Sequence, residues 1–377
     1  MKICLVSTYP EHKSRNVGDR LITVTTERLI RDVCGVDVGF TRVFCGSGWD
    51  DIKATVLAAD FVLFACLSAR RRMEAIYPSG LEIIRSGVPF GAIASGTSAN
   101  MNATTISAAT EFTDTSLAFL REFDRKAQFF TSRGVISQYL LRDAGCENVR
   151  FGGDVCFYDP RFDDRVFRPV ERVRRIAVSD PHHSIRYRKS FAALCHGLRQ
   201  LFPKAEIDLL MHSRNWVIEQ LAADLSLPIR KLFVSPEGAL DLYDDYDLHV
   251  GYRVHGHVSA LKRRKPSYLL EQDGRGADYS LTLNRNISAP HYMKLKDRKP
   301  RYRFMANFLR NEPIEAIQKM LLILAADQSN GFAKFANLEE QLLGFSRANQ
   351  RTIRDWWQAQ SAAAGSCAAA RAESMPR

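Results

Sequence analysis

The chain has 377 residues, 46% of them hydrophobic, with a formal net charge of +11 and a pI of about 9.3. That length exceeds one ordinary core and suits two domains, while the apolar share excludes global disorder. No apolar run approaches the roughly 20 residues that a membrane helix needs.

The first strand is predicted at 2–7. Its apolar core is too short for a signal peptide, and Pro10, Glu11 and His12 follow at once. Further strands at about 38–44, 60–66, 89–95, 127–131 and 149–151 alternate with helices near 18–34, 51–58, 71–87, 113–125 and 133–144. Gly87 and Gly145 stand just past two of these helices as stops. Residues 96–110 are rich in Ser, Thr, Asn and Ala without a clear period, and read as a loop near a cleft or a short helix with a polar lead-in. Pro160, Pro169 and alternating charge over 154–172 are linker composition. A second alternating run then predicts strands at 175–180, 206–211, 229–234, 247–251 and 267–271, with helices at 188–201, 214–225, 237–244 and 256–263. Short apolar strands between amphipathic helices imply parallel sheets covered on both faces, hence two Rossmann-like, doubly wound α/β domains. An amphipathic helix at 304–326 is expected to pack back across the domains, and the Ala-, Ser- and Arg-rich end to be disordered. The expected division is 1–158, a linker at 159–172, 173–303, C-terminal helices at 304–345 and a tail at 359–377.

Basic residues concentrate at 161–175 and 294–303, without helix-turn-helix or zinc-finger spacing or interleaved aromatics, so nucleic acid is not the expected partner. A cleft that collects anions, or peripheral contact with anionic membrane headgroups, accounts for the charge. The eight cysteines include no Cys-x-x-Cys, and several (Cys4, Cys66, Cys156, Cys195) sit in apolar strands or helices. Reduced, buried thiols and a cytoplasmic location are expected.

The richest corner follows strand 247–251. Gly251, Tyr252, Arg253, Val254, His255 and Gly256 place a cation and an imidazole at a strand end, before a small-residue helix whose N–H groups favour anions. Arg253 offers a planar fork to phosphate or carboxylate, and His255 can move a proton near neutral pH. The alternative is a structural cap, with Arg253 paired to Asp245 or Asp247 and His255 a satisfied core imidazole. In the first domain, Asn16, Val17, Gly18 and Asp19 occupy the matching corner. Asp19 either caps the helix or orients a sugar hydroxyl. Asp154, after Gly152 and Gly153, is either a carboxylate that activates a hydroxyl or an Asx-turn residue. At the start of the second domain, Arg186 and Arg188 precede a helix as an anion site would, or are solvated. His182 and His183 are adjacent and point opposite ways, which disfavours a shared metal. His212, Ser213, Arg214 and Asn215 form a weaker corner of the same kind, and Asp273, Gly274, Arg275 and Gly276 are expected to line the cleft. No Walker loop, first-turn Gly-x-Gly-x-x-Gly or Gly-x-Ser-x-Gly elbow is present.

Four segments in order carry a family resemblance. Asn16-Val17-Gly18-Asp19 resembles an Asn-x-Gly-Asp turn. Thr131-Ser132-Arg133 with Ser137, Leu140, Leu141 and Gly145 resembles a middle segment, and Asp154-Val155-Cys156-Phe157 an Asp-x-Ala-Phe ending. Gly251-Tyr252-Arg253-Val254-His255-Gly256 with Ala260 and Pro266 is similar to Gly-x-Arg-x-His-Gly…Ala…Pro. The family is the polysaccharide pyruvyl transferases. The resemblance implies two domains of GT-B type and transfer of a pyruvyl ketal from phosphoenolpyruvate to a free or lipid-linked sugar diol. His255 is then the general acid and Asp154 a catalytic carboxylate. Arg253, Gly256, Arg186 and Arg188 bind the donor, and Asn16, Gly18 and Asp19 the acceptor. No metal or cofactor is implied. Two departures stand out. Where the family usually carries Gly-Gly-Gly after its strand 60–64, the chain reads Ala65-Cys66-Leu67-Ser68-Ala69-Arg70-Arg71-Arg72, and Gly134 replaces a common Asp. An atypical acceptor follows from the first. The other readings are a nucleotide-sugar glycosyltransferase of the same architecture and a non-catalytic anion-binding protein.

Overall fold

The computed structural model describes residues 1–9, 16–35, 37–182, 184–292 and 314–373. His183, the basic stretch 294–303 and residues 304–313 of the helix expected at 304–326 lie outside them. Strands β1 (Lys2–Ser7), β2 (Gly39–Phe44), β3 (Phe61–Ala65), β4 (Ser68–Ala69), β5 (Phe90–Thr97), β6 (Phe130–Ser132) and β7 (Arg150–Phe151) form one sheet in the order β2-β1-β3-β5-β6-β7, with β4 beside β5. Strands β8 (Arg175–Ser179), β9 (Glu206–Met211), β10 (Ile229–Lys231), β11 (Leu248–Gly251), β12 (Ser267–Glu271) and β13 (Ser288–Pro290) form the other, in the order β10-β9-β8-β11-β12-β13. Every pairing between these strands is parallel.

Each sheet reverses its winding at its first strand, between β1 and β3 and between β8 and β11. A crevice opens at such a switch point because the connections leave in opposite directions, and ligands bind there beyond the strands' carboxyl ends. The two crevices face each other. Helix Gly274–Thr282, which follows β12, reaches the first sheet: Asp278 accepts from the backbone N–H of Ile136 at 2.7 Å and from Ser137 Oγ at 2.5 Å. Its carboxylate thus occupies the open start of helix Val135–Asp143. A side chain at Gly134 has no room, since a Cβ there lies 2.3 Å from Asp278 Oδ1. The departure at Gly134 is therefore matched by a carboxylate arriving from the other sheet.

The segment between the sheets is packed rather than loose. Val155, Cys156, Phe157 and Tyr158 are buried in a core continuous with both sheets. Buried Asp159 meets Arg28 at 3.0 Å, Arg161 at 2.8 Å and Lys262 at 3.4 Å, joining the first helix, this segment and the helix after β11. The predicted helix at 71–87 is two, Met73–Ile76 and Gly80–Arg85, because Pro78 lacks an N–H and its ring crowds the preceding turn. Of the helix expected to cross between the domains, the described part, Glu315–Gln328, packs on the second half, where Leu321 contacts Gly197. The return is made instead by helix Glu339–Glu373. Its Trp356 lies 4.5 Å from Phe61, centroid to centroid, and its Asn349 bonds the Gly152 carbonyl at 3.2 Å. This helix runs on to Glu373, where a disordered tail is expected from 359. Alanine lacks apolar mass but has the highest helix propensity, so a helix whose earlier turns are anchored by Trp356 and Asn349 continues into it. No helix among the described residues is long and apolar enough to cross a membrane.

Candidate active site

Strand β11 is wholly buried, and Gly251 ends it against β8: a Cβ there lies 2.4 Å from Ser179 Oγ. Only glycine lets the strands close this tightly at the switch point. Arg253 follows, with its backbone N–H on Ser179 Oγ at 3.1 Å. Its Nε and Nη2 grip Asp180 at 3.0 and 2.5 Å, Nη2 also reaches Ser213 Oγ at 2.6 Å, and Nη1 lies 3.4 Å from His182 Nδ1. The Arg253 side chain is 9% exposed and that of Asp180 0%, so the pair is a desolvated, bidentate one. Arg253 is thus paired, though to Asp180 rather than to Asp245 or Asp247. Behind it, Ser179 Oγ meets His249 Nε2 at 2.9 Å, and Ser267 Oγ meets His249 Nδ1 at 2.7 Å and His257 Nδ1 at 2.8 Å. Burial holds both imidazoles well below their usual titration range, His257 at about 3.

His255 stands on the first turn of helix Val254–Lys262 and points toward the first sheet. A Cβ on Gly18 lies 2.2 Å from its Nδ1, so Gly18 is the position that admits the imidazole. Its Nε2 is buried without a hydrogen-bond partner. Burial, then the charges of Arg133, Arg275 and Arg253, push its pKa down to about 3, and the imidazole is neutral.

The first sheet supplies the opposite wall. Asn16 Oδ1 accepts from the Gly18 N–H at 3.0 Å and caps helix Val17–Cys34, so the cap is Asn16 rather than Asp19, and Asp19 lines the cavity. Arg133, after β6, sends Nη2 to the Thr97 carbonyl at 3.3 Å. Its Nε has no hydrogen-bond partner, and Asp278 stands 4.0 Å away. Arg275 is held by Asp273, with Nη2 at 2.6 Å. Arg70 bonds Ser68 Oγ at 2.8 Å and Ser98 Oγ at 2.9 Å. The cavity is about 100 Å³, and Asn16, Asp19, Arg70, Arg133, Arg253, His255 and Arg275 line it.

Three expectations are corrected. Asp154 is not in this cavity. It accepts from the Cys156 N–H at 2.7 Å and from the Tyr279 hydroxyl, which makes it the Asx-turn residue, and burial raises its pKa. Gly256 does not face the cavity either: a Cβ there lies 2.5 Å from the Tyr243 hydroxyl, which bonds His212 Nε2 at 2.7 Å, so this glycine serves helix packing. Arg186 and Arg188 lie at the start of helix Arg188–Leu201, outside the lining. Asp273, Arg275 and Gly276 line the cleft as expected. Sequence reasoning passed over Arg133, Arg70 and Asp180 as site residues, although Arg133 stood in the middle segment of the resemblance. The basic stretch at 161–175 builds a different feature, an open groove of about 670 Å³ with Lys265 at the amino ends of the second sheet.

The sequence pattern of the polysaccharide pyruvyl transferases matches residues 16–274. No curated protein matches the chain. Among solved structures, one from E. coli described as trehalose-6-phosphate bound with UDP-2-fluoro glucose is similar at 9% identity, with a TM-score of 0.54, covering 95% of this chain and 99% of its own. The S. aureus MnaA–UDP co-structure follows at 12% identity and a TM-score of 0.43, covering 85% and 90%. The UDP-GlcNAc 2-epimerase of Methanocaldococcus jannaschii, in complex with UDP-GlcNAc and UDP, stands at 10% and 0.44, covering 85% and 92%. With the E. coli structure the chain shares the GT-B-like pair of parallel sheets.

Proposed function

Because the chain belongs to the polysaccharide pyruvyl transferase family, we propose that its cleft moves a pyruvyl group from phosphoenolpyruvate to a sugar diol of a cell-surface polysaccharide or its precursor. The observation that carries this reading is the meeting, in one small cavity, of two buried nitrogens without hydrogen-bond partners, His255 Nε2 and Arg133 Nε, among further arginines. A cavity of about 100 Å³ suits a compact anion better than a nucleotide sugar, since sites for larger ligands start at roughly 300 Å³.

The donor's carboxylate and phosphate lie against Arg133, Arg253 and Arg275. Their negative charge reverses the balance that keeps His255 neutral, so the imidazole takes up its proton only with donor present. His255 then protonates the methylene carbon, and positive charge develops at the adjoining carbon. The first sugar hydroxyl adds there, and its proton passes to Asp19. The bond to the phosphate oxygen breaks, phosphate leaves with the electron pair, and the second hydroxyl closes the ketal as its proton departs with phosphate. The arginines stabilise the leaving phosphate. Donor supply and reduced thiols favour a cytoplasmic location, and the open basic groove supplies charge for peripheral contact with anionic headgroups if the acceptor is lipid-linked.

The test is phosphate release from phosphoenolpyruvate across a panel of cell-envelope sugars. His255→Asn is expected to keep the fold and lower turnover by roughly two to four orders of magnitude. Turnover within a few-fold of wild type removes His255 from the chemistry. Stabilisation by nucleotide sugars and not by phosphoenolpyruvate moves the protein to glycosyl transfer.

A further inference from the structure

We propose that the acceptor is a saccharide bearing its own negative charge, met by Arg70 and Arg71 in a groove beside the reaction cavity; this rests on the pyruvyl-transfer reading above.

Residues 65–72 depart from the family's glycine loop. After β3 the chain turns through Cys66, a non-glycine residue at φ 60°, and Ser68–Ala69 joins β5 at Gly96 and Thr97. A left-handed non-glycine residue is an unfavourable conformation, and here it re-aims the chain so that Arg70 lies in the cavity wall. Where bare glycine backbone is expected, the chain presents a fixed cation.

Arg70 differs from its neighbours in what holds it. Arg253 and Arg275 each grip a carboxylate, whereas both side-chain partners of Arg70 are neutral hydroxyls, Ser68 and Ser98. Among the described residues it makes no ion pair. Burial, then the nearby Arg275 charge, lowers the pKa of its guanidinium, so its surroundings favour the arrival of an anion. Arg133 faces the donor beside His255, and Arg70, which also walls the neighbouring groove, stands where a second ligand would meet it.

The place for that ligand adjoins it. Arg70 is also the wall of a second, open groove of about 520 Å³, with Arg71, Ile76, Asn100, Glu111 and Phe112 around it, the Glu111 carboxylate being taken up by the Asn100 backbone N–H at 3.1 Å. Among the described residues the Arg71 side chain reaches only the Thr110 carbonyl, at 3.3 Å, and it is otherwise available to the groove. An apolar floor, an amide and two cations suit the face of a sugar ring with an oxyanion at its edge. Uronic-acid carboxylates and phosphate esters share that chemistry.

The experiment is calorimetric titration of the full chain with galactose, galacturonate and galactose 1-phosphate, for wild type, Arg70→Gln and Arg71→Gln. In wild type at least one charged sugar is expected to bind about tenfold or more tightly than galactose, the scale of a charge-assisted hydrogen bond. That ratio should fall to within about threefold in Arg70→Gln and fall part-way in Arg71→Gln. The tighter of the two charged sugars identifies carboxylate or phosphate as the source. Equal affinities for charged and neutral sugars in wild type overturn the proposal. So does a full preference retained in either variant when its circular dichroism matches wild type. Phosphate release from phosphoenolpyruvate, run alongside, separates the two readings. Equal release with neutral and charged sugars keeps pyruvyl transfer and removes the charged acceptor. An Arg70-dependent preference without any release keeps the anionic-saccharide groove and removes pyruvyl transfer.

Discussion

Arg133 follows β6 in the first sheet and Arg253 follows β11 in the second, each at a strand end where a helix begins. Arg253 is wrapped by Asp180, Ser213 and the Ser179–His249–Ser267 relay, and its charge is nearly cancelled. Arg133 is as deeply buried, yet its Nε has no partner and its nearest carboxylate stands at 4.0 Å. A closely paired charge positions; a loosely paired one is open to a ligand. The second sheet therefore holds its arginine in a rigid frame, while burial first, and then the charges of Arg133 from the first sheet and of Arg275 and Arg253 from the second, keep His255 neutral.

The largest expected effect breaks this comparison on stability. Asp180→Ala leaves Arg253 buried without its counter-charge and should cost about 3–5 kcal/mol. Arg133→Met leaves buried Asp278 without its ion pair but with its Ile136 N–H and Ser137 hydroxyl donors, so a smaller loss of about 1–3 kcal/mol is expected. Urea unfolding midpoints decide it, and equal losses in the two variants erase the distinction between the arginines.

On ligand binding the order reverses. Arg133→Met should lower phosphoenolpyruvate affinity by about 10- to 100-fold, the value of one or two charge-assisted bonds. Arg253→Lys keeps the charge but loses the fork on Asp180, so a smaller loss of about tenfold is expected by calorimetry. Unchanged affinity in both places the donor elsewhere.

The pH dependence follows from histidines held neutral. His255 and His257 are pushed from 6.5 to about 3, each by burial first, and His291 to about 4. The unfolded chain therefore binds protons first as pH falls below 6.5, and the stability present above that value is lost progressively toward 3. Unfolding midpoints should decline between about pH 6.5 and pH 5 with more than one proton taken up. Arg133→Met, by removing the second cause of the His255 shift, should make that decline shallower. A flat profile across this range counts against neutral buried imidazoles.

The smallest effect concerns Asp154. Tyr279→Phe removes one hydroxyl donor to its carboxylate and should cost about 1 kcal/mol, with phosphate release unchanged within a few-fold. A large fall in turnover with stability intact returns Asp154 to the chemistry.

Much of the fold was legible because periodicity and punctuation are local. Apolar runs of strand length, amphipathic helices and stops such as Gly145 marked most of both sheets before any contact was known. The Gly251–Gly256 corner was legible for the same reason: a strand, two glycines and a helix start bring Arg253 and His255 to one sheet edge. Asp154 and Gly256 were misassigned because a carboxylate beside two glycines, or a glycine beside an imidazole, looks the same in sequence whether it faces a ligand or a packed neighbour. The neighbours, Tyr279 and Tyr243, are 125 and 13 residues away.

Sequence by itself determined two parallel sheets, their order of appearance and the family, since each depends on short-range patterns read along the chain. Tertiary structure alone decided which charges are cancelled. Asp180 reaches Arg253 across 73 positions, and Asp278 fills the place above Gly134 from 144 positions away. Coulomb energy and desolvation depend on distance and burial in space, and neither quantity exists until the two switch points face each other.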